Sequence, residues 1–157
     1  MTNQITTENL ITGLKNILAN SAVLHTVEAM TPFECDGLSA YRAIPLAVVL
    51  PETTDEVCEI VKFCHNAAVP IVARGAGTSL SGGSLPHRQG IVLSLAKFNN
   101  ILSVDQANRS ARVQPGVRNL AISEAVASLG LYYAPDPSSQ IACSIGGNVA
   151  ENAGGVH

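Results

Sequence analysis

The stretch Arg74-Gly75-Ala76-Gly77-Thr78-Ser79-Leu80-Ser81-Gly82-Gly83 decides how this chain is read. It follows a strand-like run, Val69 to Ala73, with no spacer. Glycines tolerate positive φ and let a backbone approach a ligand closely. Successive exposed N–H groups then form a concavity that suits an anion such as a diphosphate. Thr78, Ser79 and Ser81 add hydroxyl donors. The common phosphate loops do not account for it. A Walker loop ends in Gly-Lys-Ser/Thr, and there is no lysine here. A Rossmann fingerprint needs G-x-G-x-x-G opening a helix. Gly75 and Gly77 fit it, but the next glycine is Gly82, and Pro86 and the strand-like run at Ile91 leave no room for a long helix. A G-x-S-x-G nucleophile elbow is absent. Taken alone, the loop reads as an anion nest, with a flexible surface turn as the plainer alternative.

Working outward, the flanks read as alternating strands and helices. Leu46 to Leu50 is a short continuous apolar run, as in a buried strand, and Pro51 stops it. Thr53 followed by Glu56 is a capping-box signature. The helix it opens carries Val57, Ile60, Val61, Cys64 and Ala68 on one face. With the Val69–Ala73 run this makes a strand–helix–strand unit, whose strands should be parallel with a right-handed crossover. Beyond the loop, residues 90–95 (GIVLSL) read as another buried strand. Ile101 to Val104 and Ala111 to Gln114 read as a hairpin across the polar turn 105–109. Asn119 is placed to cap a helix carrying Leu120, Ala121, Ala125, Val126 and Leu129, which Gly130 ends. Upstream, Thr7 to Asn20 has Leu10, Leu14, Ile17 and Leu18 at helical spacing. Ser21 to Ile44 is a loop-rich connector. Pro135 to His157 is mostly loop with short helical or extended pieces. The division that follows is an N-terminal helix and connector over 1–44 and a domain over 45–157.

Composition narrows the classes. The 157 residues are 46% hydrophobic, enough to bury a sizeable core. Only 13% are charged, about half the usual share, which hints that something else covers part of the surface. Net charge is -3 without a basic run, which argues against nucleic acid as a partner. The start of the chain shows no basic-then-apolar leader, and no apolar run is long enough to span a bilayer. A cytoplasmic location is expected, with peripheral attachment to the inner face of the membrane through partners left open. Cys35, Cys58, Cys64 and Cys143 form no CxxC pair and the four histidines are scattered, so no metal site is nominated.

The loop belongs to a longer pattern. Tyr41-Arg42 and Pro45 precede the segment LAVVLPETTDEV, residues 46–57. Then come Val113-Gln114-Pro115-Gly116-Val117, residues 134–139 (APDPSS) and residues 145–155 (IGGNVAENAGG). In this order and spacing they resemble the FAD-binding domain of the vanillyl-alcohol oxidase / PCMH-type flavoprotein family, and within it the branch of glycolate oxidase catalytic subunits and D-lactate dehydrogenases. The resemblance runs from about Glu34 to the last residue. It implies an α+β fold: a PCMH-type FAD-binding domain of two α/β subdomains with the cofactor between them, truncated within the second subdomain.

The resemblance also implies roles. Arg74, Gly75, Ala76, Gly77, Thr78, Ser79, Gly82 and Gly83 would hold the FAD pyrophosphate. Pro135, Asp136, Ser138 and Ser139 would line the ribityl and flavin side. Cys143, Gly146, Gly147, Asn148, Asn152, Ala153 and Gly155 would press against the isoalloxazine, because a flat ring needs small residues for close approach and fixed donors at its polar edges. Some members of the family attach FAD through a histidine, and Thr78 stands at that position here, so non-covalent FAD is expected. The implied reaction is hydride transfer from a small 2-hydroxy acid, glycolate or D-lactate, to flavin, with electrons passing to partner subunits of a glycolate oxidase complex or a membrane acceptor. No catalytic residue is nominated: the resemblance implies that a full protein continues through the rest of the FAD domain, a substrate cap domain and a C-terminal segment, and the base and the carboxylate-binding arginine are expected there. Plainer readings stand beside these. Asp136 can brace a turn between two prolines, Cys143 can be a buried filler, Asn148 and Asn152 can cap turns, His157 can be a mobile end, and Arg74 can pair with a carboxylate rather than a phosphate. The chain as a whole can also be a non-catalytic nucleotide- or anion-binding piece, or an incompletely folded remnant with exposed strand edges.

Overall fold

The computed structural model describes residues 5–157. The chain opens with helix α1, Thr7–Ile17, whose N-cap Thr6 accepts from the Asn9 N–H at 3.3 Å. Leu10 and Leu14 on one face of α1, and Leu18 just past it, are buried. They lie on helix α3, Thr54–Asn66, and the approach is close: a Cβ on Gly13 would run into the Phe63 ring. The capping box at the start of α3 is complete. Thr53 Oγ1 accepts from Glu56 N at 3.2 Å, and Glu56 Oε2 accepts from Thr53 N at 3.0 Å. Four N-terminal N–H groups need outside partners in any helix, and here the sequence supplies them locally.

Both helices cover one face of a four-stranded sheet. Its strands are β1 (Val23–Leu24), β2 (Ala47–Val49), β3 (Ile71–Arg74) and β4 (Ile91–Ser94), in the order β1-β2-β4-β3. Strands β2 and β3 both run parallel to β4, which lies between them, and β1 adds antiparallel to β2. Alternation sorts the side chains. Ala47, Val49, Ile91 and Leu93 join Leu10, Leu14, Ile60 and Cys64 in the main core. Val48 and Val92 face the other way, where Met30 from the short helix α2 (Val27–Met30) and Phe33 cover them. A sheet buried on both faces explains why these strands read as unbroken apolar runs.

A second part follows. Strands β5 (Ile101–Asp105) and β6 (Ser110–Val113) form a hairpin whose turn is fixed by the Asp105 carboxylate, which accepts from Asn108 N at 3.0 Å and Nδ2 at 2.7 Å. Then come α4 (Asn119–Val126), a 3-10 turn ending at left-handed Gly130, and α5 (Ile145–Glu151).

Three expectations need correcting. Asn119 does not cap α4: Arg118 holds the N-cap position, and Asn119 is the first helical residue, buried, with Nδ2 donating to Pro135 O at 3.0 Å. Ala68 is not on the face of α3. The helix stops at Asn66, and Ala68 turns left-handed at φ 53 before Val69-Pro70. Val61 is exposed because the buried stripe runs through Ile60 and Cys64. The connector 21–44 also holds more structure than its lack of period suggested, namely β1, α2 and two 3-10 turns.

Candidate functional site

Strand β3 ends at Arg74, and the glycine loop begins at once beyond the carboxyl end of the parallel strands, where open α/β sheets place their ligands. Gly77 and Gly82 take φ of +70 and +77. The loop is held from behind. Gly37 lies so close to the carbonyls of Thr78 and Ser79 that a Cβ there would sit 2.8 Å from Ser79 O. Arg74 is buried beneath the loop. Its guanidinium donates to Cys35 O at 2.8 Å, stacks 5.6 Å from the Phe33 ring centre, and fills the space a Cβ on Gly77 would take. Burial pulls its pKa below the usual arginine value, while the nearby Cys35 and Asp36 oppose that shift. Arg74 therefore supports the loop from below and does not line its mouth.

The opposite wall is α5 with the turn before it. Ser144 holds the N-cap position of α5, yet its side chain makes no cap bond. Ser144, Gly147, Asn148 and Glu151 stand at i, i+3, i+4 and i+7, one helix face, and all four line the cleft. Small residues let the walls meet: a Cβ on Gly75 would strike Ser144 Oγ, and one on Gly146 would lie 2.7 Å from Pro115 Cβ. One hydrogen bond crosses the mouth, from Ser79 Oγ to Glu151 Oε2 at 2.8 Å.

The result is an open cleft of about 220 Å³. Of the residues singled out from sequence, it brings together Gly75, Ala76, Gly77, Thr78, Ser79, Gly83, Ser139, Cys143, Gly147, Asn148 and Ala153. Ala73, Ser84, Ser144, Ala150 and Glu151 also line it and were not foreseen. Arg74, Gly82, Pro135, Asp136, Ser138, Gly146, Asn152 and Gly155 are not in its wall. Gly146 is spent on packing against Pro115, and Asn152 ends α5 in the left-handed region at φ 52. Asp136 accepts from the His157 backbone N–H at 3.2 Å and pairs with its Nδ1 at 3.0 Å; these bonds hold its carboxyl below the usual aspartate value. Gly155 lies against the Asp136 carbonyl. The 135–139 turn and the 153–157 segment therefore meet beside the cleft.

Three polar atoms in the cleft wall are buried without a partner: Ser84 Oγ, Ser144 Oγ and Asn148 Nδ2. Such groups are costly unless something bonds them. The N–H groups of Ala76, Gly77, Thr78 and Ser79 likewise have no acceptor among the described residues. Donors on both walls and glycine-thin backbone suit a ligand rich in acceptor oxygens, such as a diphosphate. The cleft is smaller than the ~300–1,000 Å³ typical of sites that enclose a drug-sized ligand, so it matches the central part of a dinucleotide. Among the described residues no group of three or more His, Cys, Asp or Glu could hold a metal ion, and no helix is long and apolar enough to cross a membrane.

Comparison with known proteins agrees with this geometry. Residues 45–157 match the family model described as FAD binding domain. The chain is 60% identical over 149 residues to glycolate oxidase subunit GlcD of Escherichia coli (strain K12), covering 95% of this chain and 30% of that protein. It is 46% identical to GlcD of Bacillus subtilis (strain 168), over 79% of this chain and 26% of the relative. It is 37% identical to a D-lactate dehydrogenase of Anaerostipes hadrus, over 98% and 32%. The chain thus spans about 30% of the length of the curated relatives it matches. Among solved structures, alkyldihydroxyacetonephosphate synthase superposes with a TM-score of 0.82 at 21% identity, covering 94% of this chain and 32% of the other. Substrate-bound p-cresol methylhydroxylase gives 0.81 at 24%, covering 93% and 29%. At these identities the likeness concerns the fold, and the fold is the PCMH-type one expected from the motifs.

Proposed function

The chain belongs to the FAD binding domain family, and on that premise we propose that it is the FAD-binding portion of a flavin-dependent 2-hydroxy acid oxidoreductase acting on glycolate or D-lactate. The observation that carries the reading is the meeting of two walls on one donor-lined cleft with three unpartnered buried groups, in a chain this similar to glycolate oxidase subunits. When bound, FAD supplies the acceptor for a hydride from the carbon bearing the substrate hydroxyl, leaving a 2-oxo acid.

The chain's own residues bind and orient. The N–H groups of Gly75 to Ser79 would hold the diphosphate, with Gly82 and Gly83 completing the loop. Ser144 and Asn148 on the α5 side and Ser84 just beyond the loop would give their free polar atoms to the same ligand. Cys143, Gly147 and Ala153, with Asn152 and Gly155 beside the cleft, would face the isoalloxazine, and the Pro135-to-Ser139 turn would line the ribityl and flavin side. Arg74 supports the loop from beneath. None of these residues is assigned as acid or base toward the hydroxyl; their proposed part is to bind and orient the cofactor. Electrons would pass to partner subunits of a glycolate oxidase complex or to a membrane acceptor, and any attachment at the inner face of the membrane would come through such partners.

FAD would be held non-covalently, because Thr78, whose hydroxyl is a poor nucleophile, stands where some members of the family carry the histidine that attaches flavin. Titrating the purified chain into FAD should quench flavin fluorescence to a saturating endpoint, and acid precipitation should leave all flavin in solution. No quenching at high protein concentration would overturn the reading. Flavin remaining with the precipitate would overturn only the non-covalent attachment. Glycolate or D-lactate with a dye acceptor should give no turnover from this chain alone.

A further inference from the structure

The cleft has an unusual charge pattern for a diphosphate site. Among the described residues, no lysine or arginine lines it. Its donors are neutral: backbone N–H, the hydroxyls of Thr78, Ser79, Ser84, Ser139 and Ser144, and the Asn148 amide. The buried Arg74 lies behind the loop, engaged with Cys35 O, with Asp36 near enough to oppose the effect of its burial. The one charged side chain in the wall is a carboxylate, Glu151. It stands at the mouth, with Oε2 held by Ser79 Oγ and Oε1 2.8 Å from where a Cβ on Gly83 would be.

A carboxylate facing an anion site makes sense as a filter. In a dinucleotide each phosphate is a diester and carries a single charge. A terminal phosphate adds most of a second charge at neutral pH. Neutral donors suffice for the first kind. The second meets an uncompensated repulsion at Glu151, with no cation in the wall to offset it.

We propose that Glu151 is a specificity-determining residue, making the cleft select a diphosphate whose two phosphates are both esterified and reject one ending in a free phosphate. This rests on the flavin-binding reading above and adds to it the basis of selection. The orphaned Ser84 Oγ, Ser144 Oγ and Asn148 Nδ2, each more than nine-tenths buried, mark independently where such a ligand's oxygens would lie. Glu151 is exposed at the end of α5, so replacing it leaves the core untouched.

The test uses two probes that share an adenylate and differ in the outer phosphate. ADP-ribose has it esterified and ADP has it free. Each competes against FAD, read by recovery of flavin fluorescence. The wild type should prefer ADP-ribose over ADP by about tenfold, the order expected from one extra partly screened charge. In Glu151→Gln, which can still accept from Ser79, the preference should shrink. In Glu151→Lys it should vanish or reverse. Raising salt should weaken the wild-type preference. The same ADP-ribose to ADP ratio in all three proteins overturns the role of Glu151 and leaves FAD binding standing. A wild type that fails to quench FAD overturns both readings.

Discussion

At Gly75 a single missing methyl group decides whether the two walls of the cleft can meet. A Cβ there would collide with Ser144 Oγ but would sit 3.4 Å from Ser144 Cβ, an ordinary contact. Gly75→Ala should therefore weaken FAD binding by about tenfold or more, as overpacking of ~1–3 kcal/mol implies. Combining it with Ser144→Ala should relieve the clash and recover part of the loss, a positive coupling in a double-mutant cycle. Gly77→Ala should not be rescued this way, since its obstacles are a φ of +70 and the Arg74 guanidinium. Equal losses in Gly75→Ala with and without Ser144→Ala would refute the packing argument. Cysteines offer a second residue-scale check. Cys58 on α3 is exposed, whereas Cys64 is buried, and burial pushes its thiol up to about 11. Iodoacetamide should label Cys58 in the native protein and leave Cys64 untouched until denaturant is added. Peptide mass spectrometry reads both sites, and labelling of Cys64 at the rate of Cys58 would contradict the packed core around α3.

Helix α3 shows how an element carries its own instructions. Thr53→Ala removes the cap acceptor and should cost about 1 kcal/mol in chemical denaturation. Glu56 is held below the ordinary glutamate value of 4.5 by the backbone N–H of Glu52, then by Thr53. A carboxyl depressed in the folded state contributes fully above its unfolded value and loses that contribution as pH falls through the folded one. Wild type should thus exceed Glu56→Ala in stability at neutral pH, with the gap closing as pH drops below 4.5. A gap that stays constant or widens in acid would reverse the sign of the argument. This helix was legible because its start, stripe and stop are local. So were β2, β4 and the β5–β6 hairpin. The two-residue β1 was not legible, since its only reason to be a strand is the edge of β2 beside it. Helix α5 was hidden by two glycines near its start. Yet Ser144, Gly147, Asn148 and Glu151 at i, i+3, i+4 and i+7 were a visible helical face, and that spacing would have found Ser144 and Glu151.

Across the whole molecule the cleft is a seam. One wall grows from β3 of the four-stranded sheet. The other is α5, anchored to the second part through Ile145 N–H to Val117 O and Gly146 N–H to Pro115 O, each 2.8 Å, and through the Arg118–Ser144 bridge. Sequence motifs could name both walls but not show that Ser79 and Glu151 join them, because that contact spans 72 positions of chain. The seam itself is held by little: one exposed hydrogen bond from Ser79 to Glu151 and the Gly75–Ser144 packing. A diphosphate bonded from both sides should therefore act as the missing fastener. Saturating FAD at about a hundred times its dissociation constant should add ~2.7 kcal/mol of stability, read as a higher melting temperature. The gain should not be spread evenly. Amides of residues 75–84 and 144–153 should slow in hydrogen exchange by more than the global gain alone gives, while those of the exposed β5–β6 turn, which open locally and do not touch the cleft, should stay as they were. Uniform protection along the chain would mean that FAD only shifts global unfolding, and protection of the loop without α5 would mean that the two walls do not share the ligand.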